Sequence, residues 1–265
     1  MVVEKTKITI AGNLNNLSEI IEHLREFYGN KPCDISPFCY DEGQLSLIDI
    51  WAEYDAVIML GSNDAEADER LKQRLVGHAH LRYVDYFEEN ECLLNAVRTE
   101  IDAILSGLEI EKKFLIAYPD FDALAKYKPF KVEISQTYLI SSLGSHRIRK
   151  RGANGNYTYF ETLKIRVSPT CCEESESVIS EKEYNELMKA ADPDKSTINK
   201  FRYCFLFEGQ YCELDVFDFW NDMALLEIEL KNEDDTVILP DEITVIEDVS
   251  DNPKYKNNHL ASLKL

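Results

Sequence analysis

The feature that most constrains how this chain can fold is a two-residue alternation of charged and apolar side chains in its second half. The segment LEIEKKFLI, residues 108–116, places Glu109, Glu111 and Lys113 at alternate positions. Successive side chains of a β-strand point to opposite faces, so these three charges would share one face of a strand. The segment therefore predicts a strand with a charged face.

Similar segments follow one another along the second half of the chain: VEISQTYLI, SHRIRKRG, YTYFETLKIRV, KFRYCFLF, QYCELDVF and LLEIELK. Only PDFDALAKY and EKEYNELMKAA have helical patterns there. Many short strands with few helices between them predict an antiparallel sheet. We expect this sheet to close on itself.

Charges of one sign share a strand face in most of these segments: Arg147 with Arg149, Lys164 with Arg166, Lys200 with Arg202, Glu213 with Asp215, and Glu227 with Glu229. A half-solvated sheet, polar outside and apolar inside, explains each strand taken alone. It explains the whole set less well, because like charges side by side on one face repel. A barrel with the charged face inward would let the basic strands bind a polyanion. Its acidic strands would bind Mg²⁺ or Mn²⁺, which prefer carboxylate oxygens, and its apolar face would pack outward.

The first half of the chain alternates strand and helix patterns instead. KITIAG, YDAVIMLG and LRYVDY are typical of buried strands, whereas NNLSEIIEHLREFYG and NECLLNAVRTEIDAIL have apolar residues at helical spacing. This alternation predicts a small, parallel α/β domain over residues 1–107. The chain as a whole is predicted to be α+β, with an antiparallel β-barrel and flanking helices over residues 108–265.

The segment AGNLNNLSE follows the first predicted strand, where a phosphate-binding P-loop would lie. A working P-loop needs GxxxxGK[ST], whose glycines and Lys reach the phosphates. Gly12 and Ser18 are present, but the second Gly and the Lys are absent, and Glu19 would add a negative charge. An ordinary strand–turn–helix with an Asn cap is favoured, and a degenerate P-loop is the alternative.

Composition excludes several classes of function. A formal net charge of −20 argues against a general nucleic-acid-binding protein, so any polyanion would have to enter a local basic site. The sequence contains no run of 18 apolar residues that would predict a membrane span, and the start of the chain lacks the pattern of a signal peptide. Seven Cys without a CxxC pair are typical of reduced thiols, so we expect a cytoplasmic protein.

These residues resemble the CYTH proteins, the triphosphate tunnel metalloenzymes. EIEKK resembles their ExExK signature, and RIRKRG, TLKIR, KFRYCF, ELDVF and LEIEL continue the resemblance in order, over about residues 108–260. The first half resembles the end of the P-loop ATPase-like domain that precedes CYTH in some members, but it is shortened and lacks the Walker Lys. A second departure is EESESVIS, where Ser177 replaces a residue that is often acidic in those members.

The resemblance implies roles for specific side chains. One or two Mg²⁺ or Mn²⁺ ions would be held by five carboxylates, one ion orienting a triphosphate and a second activating a water molecule. Lys113 would contact phosphate or position the water, and we pair it with Glu229 as the predicted catalytic residues, without assigning a single general base. The predicted metal ligands are Glu109, Glu111, Asp215, Glu227 and Glu229. The predicted triphosphate-binding residues are Arg147, Arg149, Lys164, Arg166, Lys200 and Arg202.

The resemblance implies a metal-dependent triphosphatase that hydrolyses inorganic tripolyphosphate or a nucleoside or thiamine triphosphate. A class IV-type adenylate cyclase would use the same groups but would expel pyrophosphate. A third hypothesis is a protein that binds polyphosphate or a nucleotide without catalysis, with the first domain as a partner surface. We expect neither nucleic acid nor membrane as a partner.

Overall fold

The structure is a computed structural model that describes residues 5–38, 50, 53–78, 80–167, 171–230, 232 and 234–263. Only the backbone is described for a few residues within these ranges: Arg74, Leu108, Glu109, Cys171, Cys172 and Glu174. The chain divides into two compact units, Met1–Ser106 and Gly107–Leu265. Among the described helices, none has the length and apolar character needed to cross a membrane.

In the described part of unit 1, four strands form a parallel sheet with the order β2-β1-β3-β4. Its strands are β1 (Thr6–Gly12), β2 (Cys33–Pro37), β3 (Ala56–Leu60) and β4 (Leu81–Val84). The helices whose bounds are described there are α1 (Leu17–Phe27), α2 (Ala65–Leu75) and α3 (Asn90–Ser106). Every residue of β3 is buried, as expected for a parallel strand that is covered on both faces. Strand β2 and helix α2 have no counterpart among the predicted elements.

The turn after β1 joins a strand to a helix, but the predicted Asn cap is wrong. Asn16 occupies the N-cap position of α1 without making a capping hydrogen bond. Its Nδ2 instead donates to Asn90 Oδ1 at 2.8 Å, at the start of α3. Glu19 lies in the first turn of α1, as the sequence indicated. The Asn16 side chain thus joins two helix ends rather than capping one.

In the described part of unit 2, nine strands form one antiparallel sheet. β9 and β13 were not predicted, whereas the other seven correspond to the predicted segments. The helices are α4 (Phe121–Leu124), α5 (Glu181–Leu187) and α6 (Asn257–Ser262), and α6 was also not predicted. The strands are β5 (Leu108–Ala117), β6 (Phe130–Tyr138), β7 (Ser145–Ala153), β8 (Asn156–Arg166), β9 (Cys171–Ile179), β10 (Ile198–Phe207), β11 (Gln210–Phe217), β12 (Met223–Leu230) and β13 (Val245–Asp248).

The sheet order is β12-β11-β10-β6-β7-β8-β9-β5-β13, and β12 also pairs with β5. The β12–β5 pairing is long, from Met223 opposite Ala117 to Leu230 opposite Ile110. The other edge of β5 is shared, because β9 pairs with its first three residues and β13 pairs with residues further along the strand. Strand β5 therefore has a hydrogen-bonded neighbour on both sides.

The two faces of the sheet pack differently along the strands. Apolar residues such as Phe114, Leu214, Leu226 and Ile228 form one buried cluster, as expected for a packed outer face. That expectation is wrong at Ile165 of β8 and Phe201 of β10, which are 40% and 42% exposed, although Phe205 of β10 is buried. The Phe201 ring lies beneath a cation, since Lys131 Nζ is 3.7 Å from its centroid. The outer face is therefore apolar and covered only in part.

The charged face becomes apolar towards one end of the sheet. Leu115 and Leu225 follow the alternation of Lys113 and Glu227, yet they belong to a buried apolar cluster. That cluster also contains Leu260 and Ala261 of α6, so this helix packs against the apolar end. The charged side chains of β5, β11 and β12 that the structure describes therefore lie on the rest of this face, away from the apolar residues that pack against α6.

Two glycine substitutions test the backbone geometry of the β7–β8 hairpin, which carries several predicted phosphate-binding residues. A Cβ at Gly152 would clash with the backbone oxygen of Asn156, and no side-chain movement can relieve that contact. We expect Gly152→Ala to lower the free energy of unfolding by about 3 kcal/mol, measured by urea denaturation.

Gly155→Ala is the matched control for this hairpin. Asn154 and Gly155 have φ of 53° and 82°, as in a two-residue turn with left-handed backbone, and a Cβ at Gly155 would meet no atom within 4 Å. Only the backbone penalty remains, so we expect a loss of about 1 kcal/mol. Equal losses in both variants would contradict the close approach at Gly152.

Candidate active site

The order of the strands places the acidic residues of unit 2 next to one another. β5, β12 and β11 are neighbours, and Glu227 lies between Lys113 on one side and Glu213 on the other. On the same two strands, β5 and β12, Glu229 is opposite Glu111. Like charges on adjacent strands repel, so this arrangement requires positive charge close by. The next strand, β10, supplies it, because Arg202 is opposite Asp215.

Arg202 is the centre of this cluster, because it contacts three carboxylates. Its Nε and Nη2 donate to the two oxygens of Asp215, each at 2.7 Å, and Nη2 also donates to Glu227 Oε2 at 2.6 Å. Its Nη1 donates to Glu213 Oε2. All four side chains are buried. Bonds between a guanidinium and a carboxylate are charge-assisted and directional, so Arg202 fixes the positions of these carboxylates.

Three lysines complete the compensation of charge. Lys200 Nζ donates to Asp215 Oδ2, and Lys113 Nζ contacts Glu227 Oε1. Lys113 Nζ also lies 3.8 Å from Glu111 Oε1, and Lys256 Nζ approaches the same oxygen at 3.6 Å. Three of the predicted metal ligands, on β5, β11 and β12, are therefore each next to a cationic group of the protein.

The pKa values of these groups follow from burial and from their neighbours. Burial alone would raise the pKa of Asp215, but Arg202 and Lys200 hold it below its ordinary value. In the same way, Lys113 and Arg202 overcome the effect of burial and keep the pKa of Glu227 well below its usual range. Despite its burial, Lys113 has a raised pKa because Glu227 and Glu111 favour its charged form.

Lys200 behaves differently from Lys113. Burial and the neighbouring Arg202 lower the pKa of Lys200 to about 8, although Asp215 and Glu227 oppose the change. Lys113 faces two carboxylates, whereas Lys200 shares its carboxylate with a guanidinium. The two buried lysines are therefore not equivalent, since Lys113 remains protonated through neutral pH and Lys200 holds its proton less firmly.

The basic residues of β7 and β8 lie further around the same sheet. Arg147 and Arg149 are each only 8% exposed, and Arg149 Nη1 is 3.7 Å from Glu176 Oε2. Thr162 Oγ1 donates to that same carboxylate at 2.7 Å. Lys150 belongs to the opposite face, where its Nζ is 3.9 Å from the centroid of the Tyr157 ring. The alternation along β7 therefore separates two buried arginines from a lysine on the other face.

The remaining predicted residues lie at less enclosed positions. Lys164 and Glu229 are half-buried, and Arg166 is exposed at the end of β8. Glu109 is on β5, but its side chain lies outside the described residues. The described part of the chain contains no group of three or more His, Cys, Asp or Glu side chains arranged to hold a metal ion. Around Asp215 and Glu227, guanidinium and ammonium groups occupy positions between the carboxylates.

Among curated proteins, the inorganic triphosphatase of Acetivibrio thermocellus is 32% identical to this chain over 157 residues. The matched region is 58% of this chain and 94% of that protein. The chain belongs to the CYTH family. No protein-family model matches it.

Two solved structures are also similar to this CYTH chain. One is described as an inorganic triphosphatase; it is 32% identical, with a TM-score of 0.40 over 58% of this chain and 94% of the other. The other is a putative adenylyl cyclase from Hippeastrum described as having a dominant triphosphatase activity. It is 19% identical, with a TM-score of 0.38 over 47% of this chain and 80% of the other.

Several residues of this CYTH site were not among the predicted ones. Arg151 continues the alternation of Arg147 and Arg149 and is almost fully buried, so the spacing within RIRKRG could have indicated it. Glu213 was recognised as part of a charged face, but its contact with Arg202 depends on the order of the strands. No local pattern could have indicated Lys256, because it precedes α6, far along the chain from Glu111.

The charge network of this CYTH chain makes a testable difference to stability. Asp215→Asn removes the carboxylate shared by Arg202 and Lys200, which leaves buried cations short of a partner. At pH 7 we expect the free energy of unfolding to fall by about 3 kcal/mol. Asp218→Asn, at an exposed position just after β11, should change it by less than about 0.5 kcal/mol.

The effect of Asp215→Asn should depend on pH in one direction. A carboxylate with a lowered folded-state pKa stabilises the fold above its unfolded pKa of about 4, and this contribution is lost as the pH falls through the folded value. The difference between wild type and Asp215→Asn should therefore shrink below pH 4 in urea denaturation. A difference that stays constant from pH 7 to pH 3 would contradict the ionised state of Asp215.

Proposed function

We propose that unit 2 is a metal-dependent triphosphatase whose substrate enters a tunnel lined by the charged face of the sheet. The observation that carries this proposal is the division of one buried face into an acidic side and a basic side. Carboxylates lie on β5, β11 and β12, with Lys113 among them, whereas the other buried Arg and Lys side chains lie on β7 and β10. The relative named an inorganic triphosphatase supports the same activity.

The strand pairings support a closed tunnel. β12 pairs with β11 on one edge and with β5 on the other, and β5 pairs with β9. The successive strand pairings thus connect eight strands, β5 included, and lead back to β5. In a closed sheet, residues of one alternation all face the interior. The charged residues of these strands would then surround a common space, with the apolar cluster at α6 towards one end.

The basic residues would bind the triphosphate. Arg147 and Arg149 are buried two positions apart on β7, and a guanidinium fork matches two phosphate oxygens at once. Lys164 and Arg166, less enclosed on β8, would meet the substrate nearer an opening. In the transition state, negative charge on the phosphoryl oxygens would be offset by this pre-positioned positive charge.

The carboxylate oxygens of the acidic residues are suitable ligands for a divalent cation. Glu213, Asp215 and Glu227 already converge on one positive group, the guanidinium of Arg202. Carboxylate oxygens are the donors that Mg²⁺ and Mn²⁺ prefer. We assign the holding of such an ion to Glu111, Asp215, Glu227 and Glu229, together with Glu109. A bound ion would act as a Lewis acid at the phosphoryl oxygens.

Lys113 and Glu229 would have different catalytic roles. Lys113 remains protonated because Glu227 and Glu111 keep its pKa above the ordinary value, so it cannot take a proton from water. Its ammonium group can stabilise negative charge or orient a water molecule. Glu229 is the less enclosed of the two β12 carboxylates, and we assign it the orientation of the attacking water.

Inorganic tripolyphosphate is the substrate that we favour, with nucleoside and thiamine triphosphates as the other candidates. Phosphate release should be measured for tripolyphosphate, ATP and thiamine triphosphate with Mg²⁺, with Mn²⁺ and with EDTA. We expect turnover only with a metal, and a loss of at least about tenfold in Glu111→Gln. Glu161→Gln is the control, because Glu161 lies on the alternate face of β8 and contacts His146.

The same assay separates the alternatives. Cyclic AMP and pyrophosphate from ATP would indicate a cyclase, and binding without product in every metal would indicate a non-catalytic protein. Unit 1 lacks the second P-loop Gly and the Lys, and we propose that it provides a partner surface rather than an ATPase site. ATP hydrolysis that persists undiminished in Glu111→Gln would contradict that assignment and would place a nucleotide site outside the tunnel.

Substitutions of two neighbouring residues on β7 test whether Arg149 faces the interior of the tunnel. Arg149→Ala removes a buried charge-assisted contact to substrate, worth about 1.5–3 kcal/mol, so kcat/KM should fall by about tenfold to a hundredfold. Arg149→Lys should recover part of the loss, because the charge remains but the fork is gone. Lys150→Ala, on the opposite face, should change kcat/KM little. Equal effects of Arg149→Ala and Lys150→Ala would contradict the tunnel.

A further inference from the structure

The carboxylates that would hold a metal ion are already bound to cations of the protein. Asp215 Oδ1 accepts from Arg202 Nε, and Asp215 Oδ2 accepts from both Arg202 Nη2 and Lys200 Nζ. Glu227 Oε2 accepts from Arg202 Nη2, and Glu227 Oε1 contacts Lys113 Nζ. Both oxygens of both carboxylates thus have a cationic partner.

A divalent ion entering this arrangement would meet two obstacles. It would compete for oxygens that already lie 2.6–2.7 Å from the nitrogens of Arg202. It would also be placed beside a buried guanidinium, and charges of the same sign repel strongly where water is excluded. The side chains of Asp215 and Glu227 are no more than 7% exposed, so solvent screens this repulsion poorly.

An anion would remove both obstacles. On the side away from β11, β10 pairs with β6, and β6 pairs with β7, the strand that carries the buried Arg147 and Arg149. A phosphate group offers the same planar pair of oxygen acceptors as a carboxylate, and Arg binds either one with its fork. If the guanidinium turns from Asp215 and Glu227 to a phosphate group, the carboxylate oxygens become accessible to a metal ion.

We propose that Arg202 is a positioning residue that makes metal binding depend on the anion: it holds Asp215 and Glu227 in the free protein and releases them when a phosphate-like anion enters. This inference rests on the proposed function. Coupling of this kind is reciprocal, so the metal ion must raise the affinity for the anion by the same factor. It follows that the free protein binds metal weakly and the complete site forms only with substrate.

The test measures Mn²⁺ binding to the full chain in the absence of substrate. The electron paramagnetic resonance signal of unbound Mn²⁺ decreases as the protein binds the ion. Arg202→Met removes the competing cation and leaves every carboxylate in place. We expect it to bind Mn²⁺ about tenfold or more tightly than wild type, within the usual range for coupled sites. Arg149→Met is the matched control, because Arg149 is a buried arginine whose carboxylate neighbour is Glu176 rather than Asp215 or Glu227.

Sulfate provides a second measurement in the wild-type protein, because it mimics a phosphate group without strongly binding Mn²⁺. At equal ionic strength, replacing chloride by sulfate should tighten Mn²⁺ binding about fivefold in wild type. It should have no such effect in Arg202→Met. Near-ultraviolet circular dichroism shows whether each variant is folded, and if Arg202→Met does not fold, the wild-type sulfate comparison decides alone.

The outcomes are distinct. Equal Mn²⁺ affinity in wild type, Arg202→Met and Arg149→Met overturns the inference. An equal gain in Mn²⁺ affinity in both variants also overturns it, because the loss of any positive charge would then explain the gain. Wild-type affinity that is the same in sulfate and chloride also overturns it. Any of these three results, found in a protein that hydrolyses tripolyphosphate with Mn²⁺, leaves the proposed function intact. Absence of hydrolysis with every metal would overturn the proposed function itself.

Discussion

The buried contacts of Arg202 with Glu213, Asp215 and Glu227 are the constraint on which the rest of unit 2 depends. Taking charges out of water is costly, and a buried carboxylate is tolerated only when a cation and hydrogen bonds satisfy it. Here one guanidinium contacts three carboxylates, and Lys200 and Lys113 supply further positive charge. A strand that moved out of register would leave buried charges without partners, so the network favours one arrangement of the sheet.

The strand order makes this compensation possible. Acidic strands adjacent to one another would be unfavourable alone, but β10 brings Arg202 and Lys200 beside β11, and β5 brings Lys113 beside β12. The pairing of β12 with β5 therefore brings complementary charges together as well as joining two strands. The same cations that stabilise the free protein lie where a metal ion and a triphosphate would be bound in the proposed reaction. In the proposed reaction, stability and function would thus draw on the same side chains.

Unit 1 follows a different principle. Its parallel sheet is buried on both faces and has an apolar core that includes Ile8, Ile58 and Leu60. A polar contact between Asn16 and Asn90 joins two of its helix ends. The physical difference between the units is how much charge is buried: among the described Asp, Glu, Lys and Arg side chains of unit 1 only Glu100 is buried, whereas in unit 2 such side chains are buried along a sheet face.

The sequence by itself determined which segments form most of the strands and which residues share a face. Alternation is a local property, so it correctly separated Arg147 and Arg149 from Lys150. Partners across strands were decided only by the tertiary structure: the contacts of Arg202 with Asp215 and Glu227, the approach of Lys256 to Glu111, and the pairing of β13 with β5. Such contacts join residues that are distant in the chain, and two-residue spacing carries no information about which strands lie side by side.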